Sequence, residues 1–299
     1  MAARKSQAPE TTDQYLAALE KGIRQLAYNQ HLFTTFRHFV ELSALALSNA
    51  ADPSQFDARE AQYLKIVAQY TPEQVAEFPK LFGLLVMSLE QETSDVLGVL
   101  YHRLELHNEQ VGQFFTPFEI SRLLARMSLT DREYLDARIA EHGFIRVQEP
   151  CVGSGSMVLA LAEAMREAGI NYQRHLHVTA IDIDIIAVHM AYIQCTLLHI
   201  PAVILHGNSL SMETWGAWRT LAHTMGGWEW RLAQDTRQLP TPAVEVEPSH
   251  PELVAAAMAP LIEVALSEPL AARTAPSPTP ETQRRSRAIR PEQAQLTLF

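Results

Sequence analysis

Phe144-Ile-Arg-Val-Gln-Glu-Pro-Cys-Val-Gly-Ser-Gly155, running into Ser156-Met-Val-Leu-Ala-Leu-Ala-Glu-Ala-Met165, is the stretch from which the fold is read. A short β-branched run, a glycine-bearing turn and an alanine- and leucine-rich run read as strand (Phe144 to Gln148), loop and helix (Ser156 to Ala168). The same alternation continues downstream. His177 to Ile181 reads as a strand, Ile185 to Leu198 as a helix, and Ala202 to His206 as a third strand. Strands separated by helices of this length imply parallel βαβ units with right-handed crossovers. The expected class is therefore α/β, with an open doubly wound sheet.

Upstream, helical periodicity runs from Thr12 to about Glu109. Tyr15, Leu16, Leu19, Ile23 and Leu26 recur at three- and four-residue steps, as do Leu32, Phe36, Phe39, Val40 and Leu42. Asp52-Pro53 and Thr71-Pro72 are breaks, with Thr71 and Gln74 spaced as a capping box. About five helices are expected. Downstream, ten of the seventeen prolines lie from Pro240 onward, so a linker without a packed core is expected there. The expected domains are 12–109 helical, 110–238 cofactor-binding and 239–299 a Pro-rich tail.

The bulk composition bounds the function. Hydrophobic residues make up 47% of the 299 and charged residues 19%, enough apolar material for a core. A net charge of −10 is the wrong sign for a stand-alone nucleic-acid binder, whose affinity comes largely from phosphate neutralisation. The two cysteines, Cys151 and Cys195, have neither disulfide nor zinc spacing. The first residues lack the apolar segment of a secretory signal, and no apolar run is long enough for a membrane span. A cytoplasmic protein without membrane contact or metal is expected.

Gly153 and Gly155 allow a backbone to approach a ligand with no Cβ in the way, at the start of a helix whose first N–H groups are unpaired. Asp182 ends the second strand, where a carboxylate can accept the hydroxyls of a ribose. It could equally cap the next helix, a place Asp184 could fill instead. Phe114 and Phe115 read alone are core residues.

Taken in order, Gly112-Gln-Phe-Phe-Thr-Pro117, Glu149-Pro-x-x-Gly-Ser-Gly155, the acid Asp182 and Gly207-Asn-Ser-Leu210 resemble adenine-N6 DNA methyltransferases. The sequence is most similar to the modification subunits of type I restriction systems, as is the approach Asp95-Val-Leu-Gly-Val-Leu-Tyr101. The resemblance covers about Asp95 to Leu210. It implies a Rossmann-like S-adenosylmethionine-dependent methyltransferase sheet behind a helical N-terminal domain, and DNA methylation as the activity. It also implies that Gln113, Phe114, Phe115 and Thr116 wall the methionine end of S-adenosyl-L-methionine. Glu149, Gly153 and Gly155 would line its amino-acid portion, Asp182 would hold the ribose, and Ile183 would pack on the adenine. Asn208 stands where the family usually has Asp, at a cofactor or target-amine contact. DNA, with a specificity or restriction subunit, would be the partners.

The family's chemistry also depends on Asn or Asp followed by Pro-Pro and an aromatic residue, which accept the target amine and stack on the flipped base. No Pro-Pro pair occurs in the chain, and the expected window holds Trp215, Trp218, Trp228 and Trp230. On one reading Asn208 and a tryptophan replace the missing groups as catalytic residues. On the other, the protein is an inactive relative acting as a DNA- or restriction-associated decoy. Tryptophans in a helix-like segment are more often packing anchors than base stackers, which favours the second. Finally, Gln295-Leu-Thr-Leu-Phe299 resembles the pentapeptide with which bacterial proteins dock on the β sliding clamp. Gln295 would bond at the rim and Leu298 and Phe299 would fill an apolar pocket, with Leu296 a further partner-binding residue of the motif.

Overall fold

The computed structural model describes residues 11–28, 30–106 and 115–238. Gln113 and Phe114 of the aromatic turn and the whole 239–299 tail, including Gln295, Leu296, Leu298 and Phe299, lie outside the described residues.

The first helix, α1 (Thr12–Leu26), is set by a capping box between Thr11 and Gln14, and it buries Tyr15, Leu16, Leu19, Ile23 and Leu26. Then come α2 (Leu32–Ala51), a 3₁₀ turn (Pro53–Gln55), α3 (Phe56–Val67), α4 (Pro72–Val75), α5 (Glu77–Gln91) and α6 (Val96–Arg103). The capping box of Thr71 and Gln74 is present at α4, with Pro72 in the first turn, where a missing N–H costs nothing. Two further helices, α7 (Phe118–Ser128) and α8 (Arg132–His142), lead to the sheet. Gly143, at φ 80°, ends α8 in the left-handed conformation.

The sheet contains β1 (Ile145–Glu149), β2 (Leu176–Asp182), β3 (Ala202–Asn208) and β4 (Glu213–Arg219), linked by α9 (Ser156–Glu167), α10 (Tyr172–His175) and α11 (Ile185–Leu197). The first three strands are parallel, as expected from the sequence, and their order is β1-β2-β3-β4. Two points differ from expectation. Both crossovers step in the same direction, so among the described residues the sheet is wound to one side only and not doubly. The segment with Trp215 and Trp218 is not helix-like. It folds back as β4, antiparallel to β3, with an irregularity at His206/Gly207. The close return there requires glycine, because a Cβ on Gly207 would lie 2.2 Å from the Glu213 carbonyl oxygen.

α11 is buried along nearly its whole length, from Ile186 to Thr196, which accounts for its all-round apolar sequence. The core is continuous from Leu19 and Phe36 of the helical segment through Leu97 to Ile193 and Ile204. Polar contacts tie β4 to that segment as well. Arg59 stacks 4.2 Å over the Trp218 ring and donates to the Ala217 carbonyl at 2.9 Å, and Arg219 pairs with Asp52 at 3.4 Å. The chain ends its described part with α12 (Leu221–Met225) and α13 (Trp228–Gln238). Trp228 is 1% exposed and packs edge-on to Phe144 and against His177, as a core residue. A groove of about 410 Å³ runs along β1 between α7, α8 and α9. Among the described residues no helix is long and apolar enough to cross a membrane.

Candidate functional site

The carboxyl ends of β1 and β2 bring most of the sequence-predicted residues together. The loop after β1 reaches α9 through Gly153 (φ 55°) and Gly155 (φ 102°), both in a region L side chains rarely adopt. A Cβ on Gly153 would come within 3.0 Å of Phe115 Cδ1, and one on Gly155 within 3.3 Å of the Ala191 Cα. The first glycine therefore lets an aromatic ring close on the loop. The second lets α9 begin hard against α11.

The loop is tied to β2. Val152 N–H donates to the Ile181 carbonyl at 3.0 Å, and Gly153 N–H donates to Asp182 Oδ2 at 2.8 Å. The other oxygen of Asp182 accepts Asp184 N–H at 2.9 Å. Asp184 itself caps α11, its Oδ1 accepting Ile186 N–H at 2.9 Å. The helix-cap role is thus filled by Asp184, and Asp182, held by backbone N–H groups of Gly153, Asp184 and Ile183, still has acceptor capacity for a ligand, since two carboxylate oxygens offer about four acceptor sites. Glu149, at the end of β1, accepts Cys151 N–H at 3.1 Å. Burial pushes both carboxyls above their ordinary range, and the Asp182 charge raises Glu149 further. Two half-desolvated carboxylates in one site favour a ligand that brings hydroxyl or ammonium donors to them.

Phe115 is buried, with its ring edge-on to Tyr101 at 5.0 Å and to His102 at 5.9 Å; the next residue, Thr116, is exposed. Ile183 is 61% exposed beside the loop, with its carbonyl 3.2 Å from His206 Nε2. Trp215 lies edge-on to His206 at 4.9 Å and is 52% exposed. Trp215 was singled out in the sequence, but His206 as its partner was not, because the strand that carries Trp215 was not recognised. Asn208 stands apart in its bonding. Its Oδ1 accepts Leu210 N–H at 2.9 Å and Ser211 N–H at 3.3 Å, closing the turn between β3 and β4. The remaining residues missed are Asp95, Ser154 and Gln194, a buried hydrogen-bonded group at the back of the loop. Asp95 opens the stretch to Tyr101 that carries part of the resemblance, and its spacing to Gly98, an N-cap three residues before a glycine, was the local signal; neither pointed to Ser154 or Gln194 as its partners.

The family described as N-6 DNA Methylase matches residues 93–230. No curated protein matches the chain. Among solved structures, the chain is similar to a class I S-adenosylmethionine-dependent methyltransferase from Listeria monocytogenes, at 16% identity over 68% of this chain and 55% of that one, TM-score 0.35. It is similar at 16% identity to the type I restriction-modification system methyltransferase subunit from Streptococcus thermophilus, over 68% of this chain and 53% of that one, TM-score 0.31. A third is a DrdV–DNA complex, at 16% identity over 78% of this chain and 29% of that one, TM-score 0.32. The chain spans about half the length of the first two and under a third of the last.

Proposed function

We propose that this chain, an N-6 DNA methylase relative over residues 93–230, binds S-adenosyl-L-methionine at the ends of β1 and β2 and does not methylate DNA by itself. The observation that carries the first half is the Gly153 N–H bond to Asp182, with Asp184 taking the helix cap. The residues present fit the cofactor. Asp182 accepts the ribose hydroxyls, Glu149 with the loop backbone takes the amino-acid portion, and exposed Ile183 covers the adenine. Phe115 and Thr116 wall the methionine end, a role that the resemblance also gives to Gln113 and Phe114. When bound, the cofactor supplies an electrophilic sulfonium methyl.

The second half rests on the acceptor side. Orienting an adenine amine requires a hydrogen-bond acceptor aimed at it. The chain has no Pro-Pro motif, and the Asn208 oxygen is engaged by its own turn. A net charge of −10 leaves DNA capture to a partner, in the manner of a specificity or restriction subunit. Gln295, Leu296, Leu298 and Phe299 would bring the complex to the β sliding clamp. Deleting residues 295–299 is expected to abolish capture by immobilised clamp, and unchanged capture would end that part of the proposal.

Calorimetry tests the cofactor reading. S-adenosylmethionine should bind the wild-type chain with one-to-one stoichiometry, and absence of heat at high micromolar protein would overturn the site.

A further inference from the structure

We infer that Asp95, from the helical segment, is a positioning residue for the cofactor: acting through Ser154, it fixes the loop that aims the Gly153 N–H at Asp182. This rests on the cofactor reading above and adds a part of the site that no cofactor-lining residue supplies.

Asp95 is the N-cap of α6, its Oδ1 accepting Gly98 N–H at 2.9 Å. An ordinary cap sits at the surface and uses one oxygen. Asp95 is 3% exposed, and its burial pushes the carboxyl above its usual range, a cost that a simple cap does not require. The second oxygen faces the loop and accepts the Ser154 hydroxyl at 2.5 Å. Gln194 of α11 completes the group. Its amide donates to Asp95 Oδ1 at 2.9 Å and to the Ser154 carbonyl at 2.8 Å, while its Oε1 accepts Leu97 N–H at 3.1 Å.

Ser154 is thus held at both its hydroxyl and its carbonyl, between two glycines with positive φ. Glycines are the residues with most backbone freedom to lose, so a loop of the form Gly-Ser-Gly stays in one conformation only if its middle residue is anchored. The anchor comes from a helix 59 residues earlier in the chain. Gly98 is part of the device: a Cβ there would lie 2.1 Å from Asp95 Oδ2 and 2.7 Å from Ser154 Oγ. Through the same helix, Tyr101 supports the Phe115 ring that closes on Gly153. The helical segment therefore shapes the cofactor site from behind.

Three variants of the full chain test this. Ser154→Ala removes the link alone and leaves the α6 cap intact. Asp95→Asn keeps the Oδ1 acceptor and presents an amide to the serine oxygen. Ile66→Val, in α3 away from the loop, is a control for lost stability. The readouts are S-adenosylmethionine affinity by calorimetry and amide hydrogen exchange of residues 152–155. Ser154→Ala should weaken binding about tenfold and speed loop exchange similarly, the scale of one bond to a charged group. Asp95→Asn should fall between it and the wild type, and Ile66→Val should change neither readout. Wild-type affinity and exchange in Ser154→Ala would overturn the inference while leaving the cofactor site standing. Absence of binding by the wild type would overturn both.

Discussion

The two ends of the parallel run β1–β2–β3 are finished differently. At β1 and β2 the backbone turns are closed by their own N–H groups, and Asp184 takes the helix cap, so Asp182 keeps acceptor capacity for a ligand. At β3 the chain reverses into β4, and the one amide side chain at the turn, Asn208, spends its oxygen on that turn. The difference separates the two demands of methyl transfer. The groups proposed to hold a methyl donor are gathered at one end, and at the other the Asn208 oxygen is engaged by its own turn.

The sharpest way to break this comparison is Asp182→Ala. It removes the ribose acceptor and leaves the Gly153 N–H without its partner, so affinity for S-adenosylmethionine should fall about 100-fold, as expected for two bonds to one charged group; equilibrium dialysis reads the loss. A smaller change would place the ribose elsewhere.

The tryptophan side has its own signature, in pH. His177, packed against Trp228 and bonded to His223 at 2.9 Å, is pushed down to about 3 by burial, and His189 beside Trp218 likewise. Both bind a proton on unfolding wherever the pH lies between that value and the ordinary 6.5. Their stabilisation is therefore complete above pH 6.5 and is lost as pH falls. At pH 5 the loss is about 2 kcal/mol for each. The buried carboxyls Asp95 and Glu149, shifted upward, act in the opposite direction. The clean readout is thus a difference: urea unfolding of His177→Gln should fall less steeply from pH 7 to pH 5 than that of wild type. Equal slopes would contradict the burial of a neutral imidazole.

Gly153→Ala should weaken cofactor binding about tenfold, since the left-handed backbone costs an L residue about 1–2 kcal/mol and Phe115 must give way. Binding as tight as wild type would mean that the loop is not closed by Phe115. The smallest effect is expected at Asn208→Ala, where loss of the turn bonds should cost about 1 kcal/mol of stability and leave cofactor affinity within twofold. A tenfold loss of affinity there would move Asn208 into the site.

Much of this was legible in the sequence, for reasons tied to particular residues. Apolar runs bounded by glycine and proline located β1, β2, β3, α9 and α11, because strand and helix periods survive burial. β4 was not legible. Thr214-Trp-Gly-Ala-Trp218 has no apolar–polar alternation, since Trp218 is held between Arg59 and Tyr192 while Trp215 stands exposed. Strand order was also out of reach, as periodicity carries no information on which side of β1 the next strand pairs. In the site, Gly153, Gly155 and Asp182 were found from local turn and strand-end logic. Asp95 was not, because its partners Ser154 and Gln194 lie 59 and 99 residues away and only folding brings them together.

The central claim, a donor side without an acceptor side, is tested most directly by incubating the full chain with methyl-tritiated S-adenosylmethionine and bacterial DNA. Protein-bound and DNA-incorporated label are then counted from the same sample. The account predicts displaceable label on the protein and none in the DNA. Label in the DNA that disappears in Asn208→Ala, or no label on the protein at all, would contradict it.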